Sequence, residues 1–155
     1  MAGLMIDALD LKILNQLQQD CKQPLESLAE KVGSSKSPVW SRIKRLREAG
    51  VIQREVAILD PEALGQAETF FVQIQTDQHS SEWLEEFTRV VESMPEIAEA
   101  HRLAGQIDYL LKVRVGSTKE FDAFYKRFVS RLSLFNVNSS LSMETIKETT
   151  QLKLT

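Results

Sequence analysis

Three short apolar stripes, separated by a proline and a glycine, occupy the first fifty residues and restrict the folds open to this chain. Within each stripe the apolar residues recur at intervals of three and four, which is the spacing of one face of an α-helix. Pro24 is expected to open the second segment and Gly33 to end it, because proline suits the start of a helix and glycine suits the residue after its end. We therefore predict three helices. Their stripes are Ile6, Leu9, Ile13 and Leu17; Leu25, Leu28, Ala29 and Val32; and Val39, Ile43 and Leu46.

The connection between the second and third predicted helices is a turn over residues 33–36. Ser37 is expected to cap the third helix, with Pro38 at its first position and Gly50 at its end. Two short helices joined by such a turn form the helix-turn-helix arrangement, whose second helix lies in the major groove of DNA. This spacing favours a DNA-binding domain.

The third predicted helix has an outward face of hydroxyl and cationic side chains, opposite its apolar stripe. Such a face suits contacts to phosphates and base edges, although a basic helix face by itself more often is simply solvated. For Trp40 we weigh a nucleic-acid contact and favour a position covering the domain core. The predicted DNA-binding residues are Lys36, Ser37, Pro38, Ser41, Arg42, Lys44 and Arg45.

The charge of the chain is distributed unevenly. Its net charge of −3 over 155 residues argues mildly against binding nucleic acid, because neutralising phosphates takes Lys and Arg. Residues 1–60 nevertheless carry nine basic and eight acidic side chains, whereas residues 61–155 carry ten basic and fourteen acidic ones. Residues 36–47 contain five basic side chains and no acidic one. A local basic face on an acidic protein indicates one anionic partner, here double-stranded DNA.

Composition limits the remaining classes of protein. With 43% hydrophobic and 26% charged residues, the chain is expected to fold. It has no apolar stretch of membrane-spanning length and no basic region before an apolar core at its start, so we expect a cytoplasmic protein that is not bound to a membrane. Cys21 is the single cysteine, and the histidines are only His79 and His101. We therefore expect no metal site, no cofactor and no enzymatic activity.

The second half of the chain is predicted to alternate between strands and helices. Residues 51–59 are β-prone and run into the turn signal Asp60-Pro61, so they predict a wing or linking strand. We place the domains at residues 1–60 and 61–155. The second domain reads strand, helix, strand, strand, helix, strand, over residues 69–76, 80–94, 97–104, 109–115, 118–132 and 137–146.

That order predicts the overall class as α+β, with an N-terminal winged helix-turn-helix domain plus a C-terminal ferredoxin-like βαββαβ domain. In this plan both helices cover one face of the sheet. We place Phe71, Leu110 and Leu141 on the other face, which is then too apolar to remain solvated. A second copy of the chain is expected to cover it, giving a homodimer that reads two DNA half-sites.

Several separate stretches together resemble the Lrp/AsnC family, the feast/famine regulators, along nearly the whole chain. The segments at 10–20 and 28–32 resemble the first two helices of the family, and Ser37-Pro38-Val39-Trp40-Ser41 with the following residues to 46 resembles its recognition helix. Residues 59–62 and 104–109 also recur in place. The stretches 79–83 and 124–127 resemble a branch that includes cysteine-responsive regulators.

The resemblance implies a dimer formed through the second domain, in some members an octamer, with amino acids bound in clefts between subunits. It places Gly105, Asp108 and Tyr109 in that cleft, where Asp108 receives an ammonium group and backbone N–H groups at Gly105 hold a carboxylate. The alternative is a plain hairpin turn. On the last strand, Ser139, Ser140 and Ser142 either contribute hydroxyls from a neighbouring subunit or are ordinary strand residues.

The function implied is a sequence-specific DNA-binding transcription regulator modulated by a small amino-acid effector, with cysteine as a candidate. An architectural DNA-binding protein without an effector is the alternative.

Overall fold

A computed structural model describes residues 5–155. Residues 1–4 lie outside the described residues; they belong to the N-terminal segment that was used to predict a cytoplasmic protein. The chain forms two compact units, one running to Ile58 and including Lys147–Thr155, the other comprising Leu59–Ile146. The C-terminal tail, Lys147–Thr155, is predicted to belong to the second domain. In the structure, the main chain of Leu152 exchanges two hydrogen bonds with the Gln18 amide, of 3.1 and 2.6 Å, so the tail joins the first unit. The boundary at residue 60 stays a prediction.

The first unit contains the three predicted helices, α1 (Ala8–Gln19), α2 (Leu25–Val32) and α3 (Lys36–Glu48). The Asp7 carboxylate accepts hydrogen bonds from the N–H groups of Leu9 and Asp10 in the first turn of α1, which stabilises that helix end. Gly33 ends α2 with a φ of 70°, a left-handed conformation that glycine adopts without steric cost. The three apolar stripes meet in one buried core, formed by Ile13, Leu28, Ala29, Val32, Val39 and Ile43.

The start of α3 differs from its prediction. The helix begins at Lys36 with Ser35 in the N-cap position, so Ser37 is not the cap and Pro38 is the third helical residue. Proline is tolerated there because the first N–H groups of a helix have no acceptor within it. The helix α3 therefore begins two residues earlier than expected.

The wing or linking strand predicted for residues 51–59 is wrong: no residue of this segment forms a strand. Val56 and Ile58 are 57% and 74% exposed. Among the described residues of the first unit there is no other strand with which this segment can pair. Because β-propensity expresses packing against neighbouring strands rather than an intrinsic preference, composition alone misled the prediction.

The second unit has the predicted order of elements. They are β1 (Glu68–Gln75), α4 (Ser81–Glu92), β2 (Ile97–Arg102), β3 (Tyr109–Val115), α5 (Thr118–Val129) and β4 (Asn136–Leu141). The strands form one antiparallel sheet in the order β2-β3-β1-β4, which confirms the ferredoxin-like plan. Phe124 and Phe128 of α5 are fully buried with Val72, Leu111 and Val113 of the central strands, so the core lies between the helices and one sheet face.

The other sheet face is more polar than predicted. Phe71, 36% exposed, pairs across the sheet with Lys112 and Ser140. Leu141 pairs with Phe70, which is buried in the core. Directly paired residues share a face, so Leu141 lies on the helix side and its predicted place on the open face is wrong.

Among residues 5–155, no helix is long and apolar enough to cross a membrane. In the same residues, His, Cys, Asp and Glu side chains form no group of three or more placed to hold a metal ion.

Candidate DNA-binding surface and effector loop

The outward face of α3 carries most of the residues predicted to contact DNA. Val39, Ile43 and Leu46 are buried on the opposite side of the helix, as their spacing predicts. Arg42 is the half-buried member of the predicted set. The other residues of the predicted set are exposed: Lys36, Ser37, Pro38, Ser41, Lys44 and Arg45.

Two arginines of this face are bound to the start of α1. Nη1 of Arg42 donates to Oδ2 of Asp7 at 2.6 Å and to Oδ1 of Asp10 at 2.8 Å. Arg45 pairs with the second oxygen of Asp10, whose side chain is fully buried. These charge-assisted bonds hold α3 against α1 and fix the direction in which α3 faces.

The ion pairs shift the acidity of both aspartates. The hydrogen bond from Arg42, followed by that from the Asp10 N–H group, lowers the pKa of Asp7 to about 2. Burial raises the pKa of Asp10, but hydrogen bonds from the Asp7 N–H group, Arg42 and Arg45 outweigh it, and the pKa lies below its usual range. Both carboxylates are therefore ionised at neutral pH.

Sequence reasoning missed this network, although α1 contains a signal for it. Asp10 lies four residues after Ile6 and three before Ile13, on the apolar stripe itself. An acidic residue in an apolar stripe requires a buried cationic partner. The adjacent basic helix supplies two, Arg42 and Arg45.

The other cations of α3 are more exposed. Lys36 pairs with Glu26 at the surface. Nζ of Lys44 lies 3.7 Å from a Glu48 carboxylate oxygen and 5.7 Å from the centre of the Trp40 ring. Trp40 is 57% exposed, so the favoured interpretation that it covers the core is wrong. It belongs instead to the outward face, beside Lys44.

The loop between β2 and β3 contains the predicted effector residues and is attached to the end of β1. The Asp108 N–H group donates to the Ile74 carbonyl at 2.9 Å, and its carboxylate accepts from the Thr76 N–H group at 2.9 Å. The Gln75 amide donates to the Gln106 carbonyl at 2.6 Å. One oxygen of Asp108 is thus engaged in holding the loop.

Gly105 and Tyr109 lie in different surroundings. A Cβ atom at Gly105 would have no neighbour within 4 Å, and its φ is not positive, so neither packing nor backbone conformation demands glycine. Tyr109 is only 7% exposed, and its ring packs on Phe87 and Trp83 with centroid distances of 4.3 and 5.7 Å. The loop therefore combines an open turn with an anchored aromatic side chain.

The three predicted serines do not meet the loop within one chain. Ser139 pairs with Val72 on the helix side, and its hydroxyl is buried without a hydrogen-bond partner. Ser140 is on the open face, and the Ser142 hydroxyl donates to the Glu144 carbonyl at 3.1 Å. Four residues of extended strand, about 13 Å, separate Ser140 from the loop end of β4 at Asn136. Their contribution from a neighbouring subunit stays a prediction.

Comparison with known families matches both units. A winged helix-turn-helix DNA-binding model matches residues 6–53, and the Lrp/AsnC ligand binding domain matches residues 69–152. With the recognition helix and the ligand-binding fold in place, the chain is a DNA-binding transcription regulator whose DNA binding is modulated by an effector. It belongs to the Lrp/AsnC family, which consists of regulators rather than enzymes.

Individual relatives are similar over nearly the full length. The DNA-binding transcriptional activator DecR of Escherichia coli K12 is 47% identical over 151 residues, covering 97% of this chain and 99% of the relative. The crystal structure of an AsnC family regulator from Agrobacterium tumefaciens is 46% identical, with a TM-score of 0.92 over 95% of this chain and 96% of that one. A regulator from Neisseria meningitidis, solved with L-methionine, is 29% identical, with a TM-score of 0.91 over 96% and 97%.

Proposed function

We propose that this chain binds specific operator DNA through the outward face of α3, and that an amino acid bound beside the loop between β2 and β3 changes its affinity for that DNA. The observation that carries the proposal is the exposure of Ser37, Ser41 and Lys44 opposite the buried stripe of α3. Hydroxyl and ammonium groups on a helix that fits the major groove can reach base edges and phosphates.

The ion pairs indicate that some basic residues of α3 contact DNA and that others position the helix. Lys44, with no buried partner, contacts DNA directly, together with Lys36 and Pro38 at the start of the helix. Arg42 and Arg45 hold the helix on α1 and add positive potential. The Arg45 side chain remains 43% exposed. The part of its guanidinium that does not face Asp10 can therefore bind a DNA phosphate.

The ammonium group of the effector binds at Asp108. Because Thr76 occupies one oxygen of that carboxylate, the second oxygen accepts the ammonium. The L-methionine complex of the Neisseria relative supports an amino acid as ligand. The resemblance to cysteine-responsive regulators adds L-cysteine as the other ligand to test first.

The protein acts as a homodimer in the cytoplasm. Support for the dimer comes from the sheet face that no helix of the second unit covers, on which Phe71 lies. In the oligomer, Ser139, Ser140 and Ser142 of a neighbouring subunit complete the ligand cleft. An effector shifts DNA affinity only by binding two states of the protein unequally, and an intersubunit cleft allows such a difference.

The test uses Asp108→Asn in the full chain, because asparagine keeps an acceptor for the Thr76 N–H group while removing the charge. Calorimetry with L-methionine and L-cysteine, and gel shifts on an operator selected from random DNA, are expected to show no ligand binding and no ligand response. Effector-free DNA affinity should stay within about twofold of wild type, because the substitution lies outside the DNA-binding unit.

Asp122→Asn, an exposed aspartate of α5, is the matched control and should behave as wild type. Ligand binding and response retained in Asp108→Asn would show that the ligand lies elsewhere. If selection from random DNA enriches no sequence, the protein is an architectural DNA-binding protein instead.

A further inference from the structure

A small cavity of about 200 Å³ lies beside the amino-terminal end of α4 in the second unit. It is lined by residues 78–81 and by Trp83, Leu84, Arg102 and Tyr109, and most of this lining is polar. A volume of this size suits a small ligand with one charged group and a short side chain. The cavity adjoins the proposed effector loop without containing Gly105.

The register of the sheet brings Arg102 and Tyr109 together. The two residues are directly paired across β2 and β3. Side chains of a directly paired couple lie on the same face of the sheet, with Cβ atoms about 5 Å apart. The hairpin thus places a guanidinium beside a phenol at the end of the sheet nearest the loop.

Tyr109 has a fixed ring and an unused hydroxyl. Its ring is packed against Phe87 and Trp83, and the residue is 93% buried, given its 7% exposure. Among residues 5–155 the structure gives its hydroxyl no hydrogen-bond partner. The hydroxyl oxygen is not among the buried atoms that lack a partner, so it is open to solvent and available to whatever occupies the cavity.

Arg102 is likewise without an ion-pair or hydrogen-bond partner in the described part of the chain. Two neighbouring carboxylates already accept hydrogen bonds. Glu82 accepts from its own N–H group and from Ser80 at the start of α4, which lowers its pKa. Asp108 accepts from Thr76. The helix end is therefore already neutralised by Glu82, and Arg102 is the free positive charge at the cavity.

We infer that this cavity binds the carboxylate of the effector, through the Arg102 guanidinium and the Tyr109 hydroxyl. The inference rests on the proposed amino-acid effector and moves its carboxylate from the backbone at Gly105 into the cavity. Trp83 and Leu84 then receive a short apolar side chain. Asp108 directly precedes Tyr109 in the chain, and its carboxylate oxygen that does not accept from Thr76 is left for the ammonium.

The experiment compares free acids with their methyl esters in the full-length protein. Each common L-amino acid is titrated by calorimetry, and the tightest is repeated as its methyl ester and as the acid lacking the amino group. Wild type is expected to bind the acid at least about tenfold more tightly than the ester, as one charge-assisted hydrogen bond allows. In Arg102→Gln that preference should vanish.

Tyr109→Phe keeps the packed ring and removes only the hydroxyl. It is expected to weaken binding of the acid severalfold, with little effect on binding of the ester. Arg89→Gln on α4 and Tyr125→Phe on α5 are matched controls, and both should keep the wild-type preference. Thermal unfolding followed by circular dichroism checks that each variant folds.

The outcomes separate this inference from the proposed function. If Arg102→Gln still prefers the acid while Asp108→Asn has lost the ligand, the cavity is wrong and the amino-acid effector stands. If only the acid lacking an amino group binds, and Arg102→Gln loses it, the cavity stands and the amino-acid effector is wrong. Wild type that binds no carboxylate at millimolar concentration overturns both.

Discussion

Nη1 of Arg42 on the recognition helix lies 2.8 Å from the fully buried Oδ1 of Asp10 on α1. The second Asp10 oxygen pairs with Arg45, so one buried carboxylate neutralises two arginines of the basic face. The direction of α3 is thereby set by a charge interaction between the first and third helices as well as by apolar packing. We expect loss of that carboxylate to lower stability and DNA affinity together.

Asp10→Asn is expected to destabilise the protein by about 3 kcal/mol, because it leaves two arginines beside a buried neutral group. Urea denaturation of wild type and variant measures the difference. Glu30→Gln, an exposed position on α2, serves as the control and should change stability little. A variant as stable as wild type would mean that the ion pairs contribute nothing to the fold.

Stability should also fall in acid. Asp7 and Asp10 have pKa values below the ordinary 3.8, about 2 for Asp7, so the folded state binds protons less readily than the unfolded state. Their contribution is present above the unfolded pKa and is lost as pH falls through the folded pKa. Unfolding free energy should therefore decline from about pH 4 to about pH 2 more steeply in wild type than in Asp10→Asn. Equal slopes in both proteins would contradict this assignment.

Lys44→Ala should weaken operator binding without loss of stability, because Lys44 is exposed and not tied to Asp10. The slope of log affinity against log salt is expected to become shallower by about 1 if Lys44 contacts phosphate. Arg45→Ala should lower affinity and stability together. Lys119→Ala, an exposed lysine of the second unit, is the charge-matched control. Unchanged DNA affinity in Lys44→Ala would remove this residue from the interface.

Local patterns sufficed for the order of helices and strands, because the periodicity of apolar residues reports which side of an element is buried. These patterns failed where strand formation or the face of a side chain depends on a residue distant in the sequence. The segment 51–59 is β-prone but lacks a neighbouring strand in its unit, and the face of Leu141 depends on register, since a shift of one residue reverses it.

The candidate sites likewise contain features that follow from local spacing and features that depend on how elements pack. The exposed face of α3 follows from helical spacing alone, whereas the Asp10 pairs depend on how α1 and α3 pack. The start of α3 was ambiguous because Ser35 and Ser37 are both suitable caps. The pairing of Arg102 with Tyr109 becomes visible only once the register of the hairpin is known.

Phe71→Arg should convert a dimer into a monomer, because it places a charge on the open sheet face beside Lys112. Sedimentation velocity of the full chain at micromolar concentration measures the change. Leu64→Arg, at a 62% exposed position in a turn, introduces the same charge away from that face and should leave the dimer intact. If Phe71→Arg sediments as wild type does, the open face is not the dimer interface.

Operator affinity measured with and without a bound amino acid shows whether the effector changes DNA binding by this protein. The wild-type dissociation constant for an operator selected from random DNA would be measured at fixed salt, first alone and then with saturating L-methionine or L-cysteine. We expect the dissociation constant to change by at least about fivefold with one of them, which corresponds to a coupling free energy of about 1 kcal/mol. Specific DNA binding that no amino acid alters would contradict it.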